Sequence, residues 1–181
     1  MICDRLYDGL FGTLMSERGG EMMLAENMKL YAPNLICICV NARKQGDYVG
    51  EIWNQYDEEP KAFHTSLDMI QKMDDLYDRW DFPQRSTVNR RFDKVIVPKQ
   101  LERTPRKGAI PKMDADRIQD KKGEKGTFIV YVLYRQNATW QGEVVWADKK
   151  KKQRFRSALE LLKLMDSALD ADESDCIEDD V

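Results

Sequence analysis

The side chains that could carry chemistry in this chain are few, and their spacing matches none of the common catalytic or metal-binding arrangements. His64 is the sole histidine among 181 residues, so it has no second imidazole to act with as a base or a metal ligand. The four cysteines have neither the spacing of a disulfide framework nor the CxxC pairs of a structural zinc site. Glycine-rich phosphate loops and nucleophile-elbow motifs are absent from the sequence. We therefore expect a protein that is not an enzyme and that uses no metal or cofactor.

Glu51 and Glu143 form the one candidate carboxylate pair for general acid or base work. Each follows a glycine within a predicted strand, where a glutamate more often pairs with a cation on the neighbouring strand. Arg43 and Arg135 are the arginines expected to lie within reach. No sequence feature supplies the shaped pocket that acid–base catalysis also needs. We expect both glutamates to make ion pairs within the sheet.

The elements that must position these side chains occur twice, because residues 36–78 align without a gap on residues 128–170 at a constant spacing of 92. Self-similarity at a fixed period indicates a repeated supersecondary unit. A unit of about 45 residues lies near the lower limit for a self-sufficient core, so the two copies are expected to pack on each other. The sequence therefore predicts a tandem duplication. Identical pairs include Arg43 and Arg135, Gly50 and Gly142, Glu51 and Glu143, Phe63 and Phe155, Leu67 and Leu159, Met73 and Met165, Asp74 and Asp166, and Asp78 and Asp170.

Each copy reads as three strands followed by a helix. In the second copy, residues 128–134 are β-branched and aromatic, residues 137–139 form a turn, and residues 140–147 form the next strand. The helix starts at 65–68 and 157–160 both carry the hydroxyl-x-x-acid pattern of a capping box. We therefore predict an α+β fold that is a tandem duplication of a βββα module. Its antiparallel sheets carry one helix each, and its modules pack as a pseudo-symmetric pair.

The helix of the second copy has more apolar surface than its own sheet face requires. Leu161 and Leu164 widen its stripe beyond the positions that recur every three to four residues. We predict that these two leucines lie in a contact between modules or between subunits. The predicted core-facing stripes are Leu67, Ile70, Met73, Tyr77 and Trp80 in the first helix, and Leu159, Leu162, Met165 and Leu169 in the second.

Charge divides the chain into segments of opposite sign that the net charge of −3 conceals. The connector, residues 81–126, holds 13 Lys and Arg against 7 Asp and Glu, and the tail, residues 171–181, holds six acids and no base. Such segments bury little apolar surface, so we expect an extended, partly mobile connector and a disordered tail. The remaining segments are a helical extension at 1–33 and the two modules at 34–80 and 127–170.

A basic hairpin in the second module is the clearest functional signal. The lysines at 149–152 lie on a predicted hairpin whose counterpart in the first module, residues 57–59, is acidic. Lysines and arginines attract nucleic-acid phosphates through counterion release, whereas a solvated hairpin and linker would look the same in sequence. We expect function through a protein partner or self-association, with nucleic-acid binding as the alternative. The candidate interaction residues are Leu161, Leu164, Lys149, Lys150, Lys151, Lys152, Arg154, Arg135 and Trp140.

The order of elements in the second module carries a resemblance to two DNA-binding families. Three strands and a helix, with Trp140 ahead of a strand and an aromatic residue ahead of the helix, resemble the plant AP2-type domain and the amino-terminal arm-binding domain of tyrosine integrases. The resemblance is one of order and spacing over a single module. It implies DNA contacts for Arg135, Trp140 and Arg154.

The expected location follows from a second resemblance and from hydropathy. Residues 134–142 and 155–162 look like short uncharacterised proteins of gut-dwelling Gram-positive bacteria, which implies a bacterial cytoplasmic protein. No run approaches the roughly 18 to 20 apolar residues of a membrane helix, and residues 1–5 lack the basic flank of a secretion signal. We expect a cytoplasmic protein without membrane contact. The sequence leaves a small-molecule ligand open.

Overall fold

The computed structural model describes residues 30–44, 46–86, 110–137 and 139–175, with side chains described as far as Ala171. Most of the predicted amino-terminal extension, much of the connector and the end of the acidic tail lie outside these residues. In chain order the described elements are β1 (Ile36–Lys44), β2 (Asp47–Asn54), β3 (Lys61–Phe63), α1 (Ser66–Trp80), α2 (Ala115–Gln119), β4 (Gly126–Tyr134), β5 (Gln141–Trp146), β6 (Lys151–Phe155) and α3 (Ala158–Asp175).

The six strands form one sheet, in the order β3-β2-β1-β4-β5-β6, and every neighbouring pair is antiparallel. The predicted α+β class with antiparallel strands is confirmed, whereas the prediction of separate sheets is corrected. β1 and β4 lie at the centre and pair with each other, because both are apolar on both faces and are buried along most of their length. This pairing joins what we call the first half (residues 34–80) to the second half (residues 127–170).

The strand registers recur at the spacing of 92 residues. Cys37 of β1 stands opposite Ile129 of β4, and these two residues are themselves 92 positions apart. Each of the three β1–β4 residue pairs from Ile36 to Ile38 therefore corresponds, at a spacing of 92 residues, to another residue pair of the same two strands or to itself. Corresponding pairs are Ile36 with Val130 and Ile38 with Phe128, Ile38 with Ile52 and Val130 with Val144, and Gly50 with Phe63 and Gly142 with Phe155.

One hydrophobic core lies between the sheet and the two long helices. Side chains of α1 and α3 pack with the same face of the central strands into a single cluster that draws on both halves. Phe63 and Phe155 are buried in it, as predicted, and so are Met73 and Met165. The inward-facing helix residues are Met69, Met73, Leu76 and Tyr77 in α1 and Leu161, Met165, Ala168 and Leu169 in α3.

Leu67 and Leu159 are exceptions to the predicted helix stripes. They are 65% and 62% exposed, so their prediction as core residues is wrong. Leu67 precedes the inward-facing Met69 by two residues, which places it roughly 160° around a helix of 3.6 residues per turn. Leu159 has the same relation to Leu161. The buried stripes therefore begin two residues later than predicted.

The predicted capping pattern is confirmed at the start of both long helices. In each, the hydroxyl accepts a hydrogen bond from the amide three residues later, and the acid at that position accepts one from the amide four residues before it. The second helix ends later than predicted, because α3 continues to Asp175, inside the segment expected to be a disordered tail. The distances are 3.0 Å from Asp68 N to Thr65 Oγ1, 3.1 Å from His64 N to Asp68 Oδ2, 3.0 Å from Glu160 N to Ser157 Oγ and 2.7 Å from Arg156 N to Glu160 Oε2.

The opposite face of the sheet carries a smaller core. Cys37 and Cys39 are free, buried thiols there, with their sulfur atoms 3.9 Å apart. The contact with the Cys39 sulfur and burial raise the pKa of the Cys37 thiol well above its ordinary value. The connector covers this face with the buried side chains of Met113 and of Ile118 in α2. The connector, which was expected to be extended, therefore contributes a helix and part of a core.

Candidate functional site

Arg135, a candidate interaction residue, lies inside the molecule. Its side chain is 3% exposed, and Nη2 lies 2.6 Å from a carboxylate oxygen of Asp74 and 2.6 Å from one of Asp78, both on α1. The guanidinium also lies over the ring of Tyr77, 5.7 Å from the ring centre, where a cation–π attraction adds to the ion pairs. The expected partner, Glu143, binds other cations. Arg135 thus ties the second half to the helix of the first and does not present its charge to a nucleic acid.

Trp140, another candidate interaction residue, also lies inside the molecule. It is 8% exposed, and its ring meets Tyr77 edge-on at 5.5 Å between centroids. Such pairs stabilise by about 0.5–1.5 kcal/mol beyond their burial. Burial raises the pKa of the Tyr77 phenol, so the ring stays neutral beneath the arginine. Arg85 completes this cluster by binding Asp74 at 2.9 Å.

The equivalent residues of the other half, 92 positions apart in sequence, form a second cluster of similar composition. Arg43 binds Asp166 at 3.1 Å and also binds Asp170, both on α3, and the hydroxyl of Tyr48 donates to Asp166. Burial and that hydrogen bond raise the pKa of the Tyr48 phenol, so its proton stays in place for donation. The side chain of Arg43 is 22% exposed, against 3% for Arg135. The arginine of each half thus binds aspartates on the long helix of the other half. We call these four contacts the crossed ion pairs.

A β-bulge ahead of each arginine directs it toward the helices. The register of β1 shifts between Val40 and Ala42, and that of β4 shifts in the same way between Val132 and Tyr134. Successive side chains of a strand point to opposite faces, so one extra residue reverses the alternation beyond it. Arg43 therefore lies on the helix side of the sheet instead of on the opposite face.

The predicted lysine hairpin lies at an outer edge of the sheet. Residues 149–152 and Arg154 are exposed. Glu143 on β5, expected to pair with Arg135, instead binds Lys152 Nζ at 2.6 Å and Arg154 Nε at 3.3 Å, because these side chains lie on the neighbouring strand and the same face. The hairpin and β6 keep an excess of positive charge at this edge.

An apolar groove of about 240 Å³ lies between β6 and α3. Trp146 lines it, with Nζ of Lys149 and of Lys151 lying 6.0 and 5.7 Å from its ring centroid. Leu164 lines the groove too and is partly buried, whereas Leu161 is fully buried in the core shared by both halves. The remaining lining residues are Phe128, Val144, Gln153, Ser167, Ala168 and Ala171.

A wider cleft of about 600 Å³ lies between α1 and the start of α3. Asp74 and Trp140 contribute to its lining, but both already belong to the cluster around Arg135. Gln71, Asp75 and Ser157 supply further polar atoms. Across the described ranges, no three histidine, cysteine, aspartate or glutamate side chains are grouped so as to hold a metal ion.

The surface features of the second half were predicted in part, and Trp146 was missed. This tryptophan belongs to the main core cluster and also lines the groove. Among the helices that the structure describes, none is long and apolar enough to cross a membrane. The resemblances to DNA-binding domains and to gut bacterial proteins stay predictions. Comparisons with protein-family models, with curated proteins and with solved structures found no match to this chain.

Proposed function

We propose that the protein is non-catalytic and acts by binding another protein at the outer edge of β6. The observation that carries this proposal is the nature of that edge. β6 is the last strand of the sheet, four of its five residues are exposed, and an apolar groove lies beside it. A strand edge offers backbone donors and acceptors to a second chain, and the lysines would steer and select that chain.

The proposal also treats the chain as a tandem duplication of a βββα module, with the two modules packed as a pseudo-symmetric pair. The recurring strand registers, the two equivalent bulges and the two equivalent helix starts support this reading. The arginines and aspartates that are identical in both halves make the crossed ion pairs. Function would therefore reside in what differs between the halves, and the edge of β6 with its groove differs most clearly.

Nucleic-acid binding by the same edge is the second candidate. The exposed cations at 149–152 and Arg154 favour it, since they could neutralise phosphates. One observation weighs against it, because Arg135 and Trp140, the residues for which the resemblance implied DNA contacts, have internal partners. We therefore place it behind protein binding.

Site-specific photo-crosslinking in cells that express the protein tests the proposal. A photoreactive amino acid replaces Gln153 on β6, and the matched control carries it at Lys61, which lies 92 residues earlier on the opposite edge strand. We expect a crosslinked product from position 153 that protease digests and nuclease leaves intact. A product that nuclease digests would favour nucleic acid, and equal products at both positions would remove the special role of β6.

A further inference from the structure

We propose that the groove between β6 and α3 receives an extended acidic peptide of a partner protein, which pairs with β6 as a seventh strand. The peptide would alternate apolar and acidic residues. Its apolar side chains would enter the groove, and its acidic side chains would meet the lysines and arginine of the edge. This inference rests on the proposed function and adds to it the chemistry of the partner.

The alternation of β6 side chains explains why the partner should alternate. Lys151 and Gln153 lie on the helix side and line the groove. Lys152 and Arg154 lie on the other face, where they share the single carboxylate of Glu143. A strand added to the outer edge of β6 would follow the same two-residue period. One face of that strand would therefore meet the apolar groove with Lys151 beside it, and the other would meet Lys152 and Arg154.

The size of the groove and the residues around it fit the side chains of a peptide. At about 240 Å³ it is smaller than the roughly 300–1,000 Å³ of typical small-molecule sites, so it suits individual side chains of a peptide. Trp146 is 8% exposed, and its buried indole Nε1 has no acceptor among the described residues. Because Trp146 forms part of the wall of the groove, its indole signal can report when a peptide occupies the groove. The nearby lysines, Lys149 and Lys151, favour an acidic peptide.

In the first half, a lysine occupies the position that corresponds to Leu164 and contacts the edge strand. Lys72 stands where Leu164 stands in the second half. Its Nζ lies 2.6 Å from the carbonyl oxygen of Ala62 on β3 and 2.7 Å from Asp68. A lysine thus bridges the helix and the edge strand in the first half. In the second half a leucine leaves an apolar wall.

A second copy of the chain is a poor occupant of this groove. Pairing β6 with β6 would place lysines against lysines, which is destabilising for directly opposed like charges. The acidic tip at 57–59 is a poor alternative, because Asp57 pairs with Lys61 at 3.4 Å and with Arg79 at 3.6 Å, while Glu58 lies 3.8 Å from Lys112. Neither β6 nor the acidic tip of a second copy therefore suits this groove.

The test uses the full chain and a fluorescein-labelled synthetic peptide that alternates aspartate or glutamate with valine, leucine or phenylalanine. Fluorescence anisotropy measures its affinity. One control peptide has the same composition with the acids and the apolar residues in separate blocks, and another has proline at alternate positions to remove backbone donors. We expect both controls to bind at least about tenfold more weakly than the alternating peptide. In proton–nitrogen spectra, the indole N–H signal of Trp146 should shift only with the alternating peptide.

Two pairs of variants separate the groove from general effects of charge and stability. Leu164→Lys copies the first half and should close the groove, so we expect at least about a tenfold loss of affinity. Its matched control is Leu159→Lys on the exposed side of the same helix, which should bind as the parent does. Lys151→Glu should weaken binding similarly, whereas Lys163→Glu makes the same charge change outside the groove.

Several outcomes would overturn the inference. Absence of binding, or equal binding of all three peptides, would exclude strand addition at β6. Tighter binding of a labelled single-stranded oligonucleotide, lost in Lys151→Glu and kept in Leu164→Lys, would assign the edge to nucleic acid. Self-association of the parent that Leu164→Lys abolishes would assign the groove to a second copy. If the peptide fails while crosslinking at Gln153 still traps a protein, the proposed function stands and only the partner chemistry is wrong.

Discussion

Single residues show how position decides the value of an ion pair. Arg135 and Arg43 bind aspartates at equivalent places on the two long helices, yet their side chains are 3% and 22% exposed. A charge removed from water needs its partners more than a hydrated one does, because the loss of one partner leaves the other charge without compensation. The crossed ion pairs of the two arginines are therefore alike in geometry and unequal in their contribution to stability.

Replacing each arginine by alanine should reveal this inequality. We expect Arg135→Ala to lower the free energy of unfolding by about 3 kcal/mol, as for a disrupted buried pair. Arg43→Ala should lower it by about 1 kcal/mol, because its partners Asp166 and Asp170 are 47% and 63% exposed. Urea denaturation of both variants measures the difference. Equal losses would show that burial does not control these interactions.

The acidic tip supplies a prediction about pH. Burial alone would raise the pKa of Asp57, but the hydrogen bond from Asn54 and the charge of Lys61 outweigh it and hold that pKa below its ordinary value. A lowered carboxylate pKa contributes stability above the unfolded-state pKa of about 4, and the contribution disappears as pH falls through the folded-state pKa. Asp57→Asn should therefore be less stable than the parent at neutral pH, and the gap in urea midpoint should close in strong acid. A gap that stays constant with pH would contradict this.

At the scale of elements, the helices are defined by their caps and by one buried stripe each. The two capping patterns place the helix starts correctly, because a hydroxyl and an acid at fixed spacing satisfy amides that have no partner within the helix. The stripe is harder to place, since Leu67 and Leu159 are apolar residues on the outer side of the first turn. Apolar character alone does not fix which side of a helix faces the sheet.

Substitutions on α3 test the corrected stripe. Leu161→Ala removes a fully buried side chain and should cost about 2–5 kcal/mol of stability. Leu159→Glu changes an exposed side chain and should alter stability by no more than about 0.5 kcal/mol. Thermal unfolding of both variants shows whether Leu161 or Leu159 lies on the side of α3 that packs against the sheet. A large loss from Leu159→Glu would restore the predicted stripe.

The positions of the strands were more predictable from the sequence than the pairing between strands was. Apolar and β-branched runs indicated the first two strands of each half, because such runs reflect local side-chain periodicity, whereas β3 and β6 were predicted only as short strands around Phe63 and Phe155. The pairing of β1 with β4 could not be predicted, since it joins residues that are far apart in sequence. The lysines of the β6 edge are exposed and Leu164 is partly buried against the main core, whereas Arg135 and Trp140 lie inside the molecule. The bulge that turns Arg135 inward is invisible in β4, whose residues are apolar on both faces.

At the scale of the whole molecule, the two halves share a central strand pairing and one hydrophobic core. β1 pairs with β4 over five residue pairs, and the main cluster contains side chains of both long helices. The crossed ion pairs add a contact from each half to the helix of the other. Neither half therefore has an independent interior, which favours a single cooperative unit.

Equilibrium unfolding should show one transition in which both halves take part. Phe63→Ala and Phe155→Ala remove equivalent buried rings, and each should lower the free energy of unfolding by about 3–5 kcal/mol. Tryptophan fluorescence and far-ultraviolet circular dichroism should report the same midpoint in the parent and in both variants. Two separated midpoints in either variant would show that the halves unfold independently.

Because of the bulges, the number of residues in each of the two central strands decides which face of the sheet its arginine occupies. Deleting Asn41 would leave Arg43, Asp166 and Asp170 in the sequence, but it would restore the plain alternation and turn the arginine toward the face that α2 covers. Deleting Leu133 would do the same to Arg135. Loops can gain or lose residues without such a change of face. Homologous sequences should therefore have insertions and deletions at the hairpin turns. The number of residues between the middle of each central strand and its arginine should stay constant.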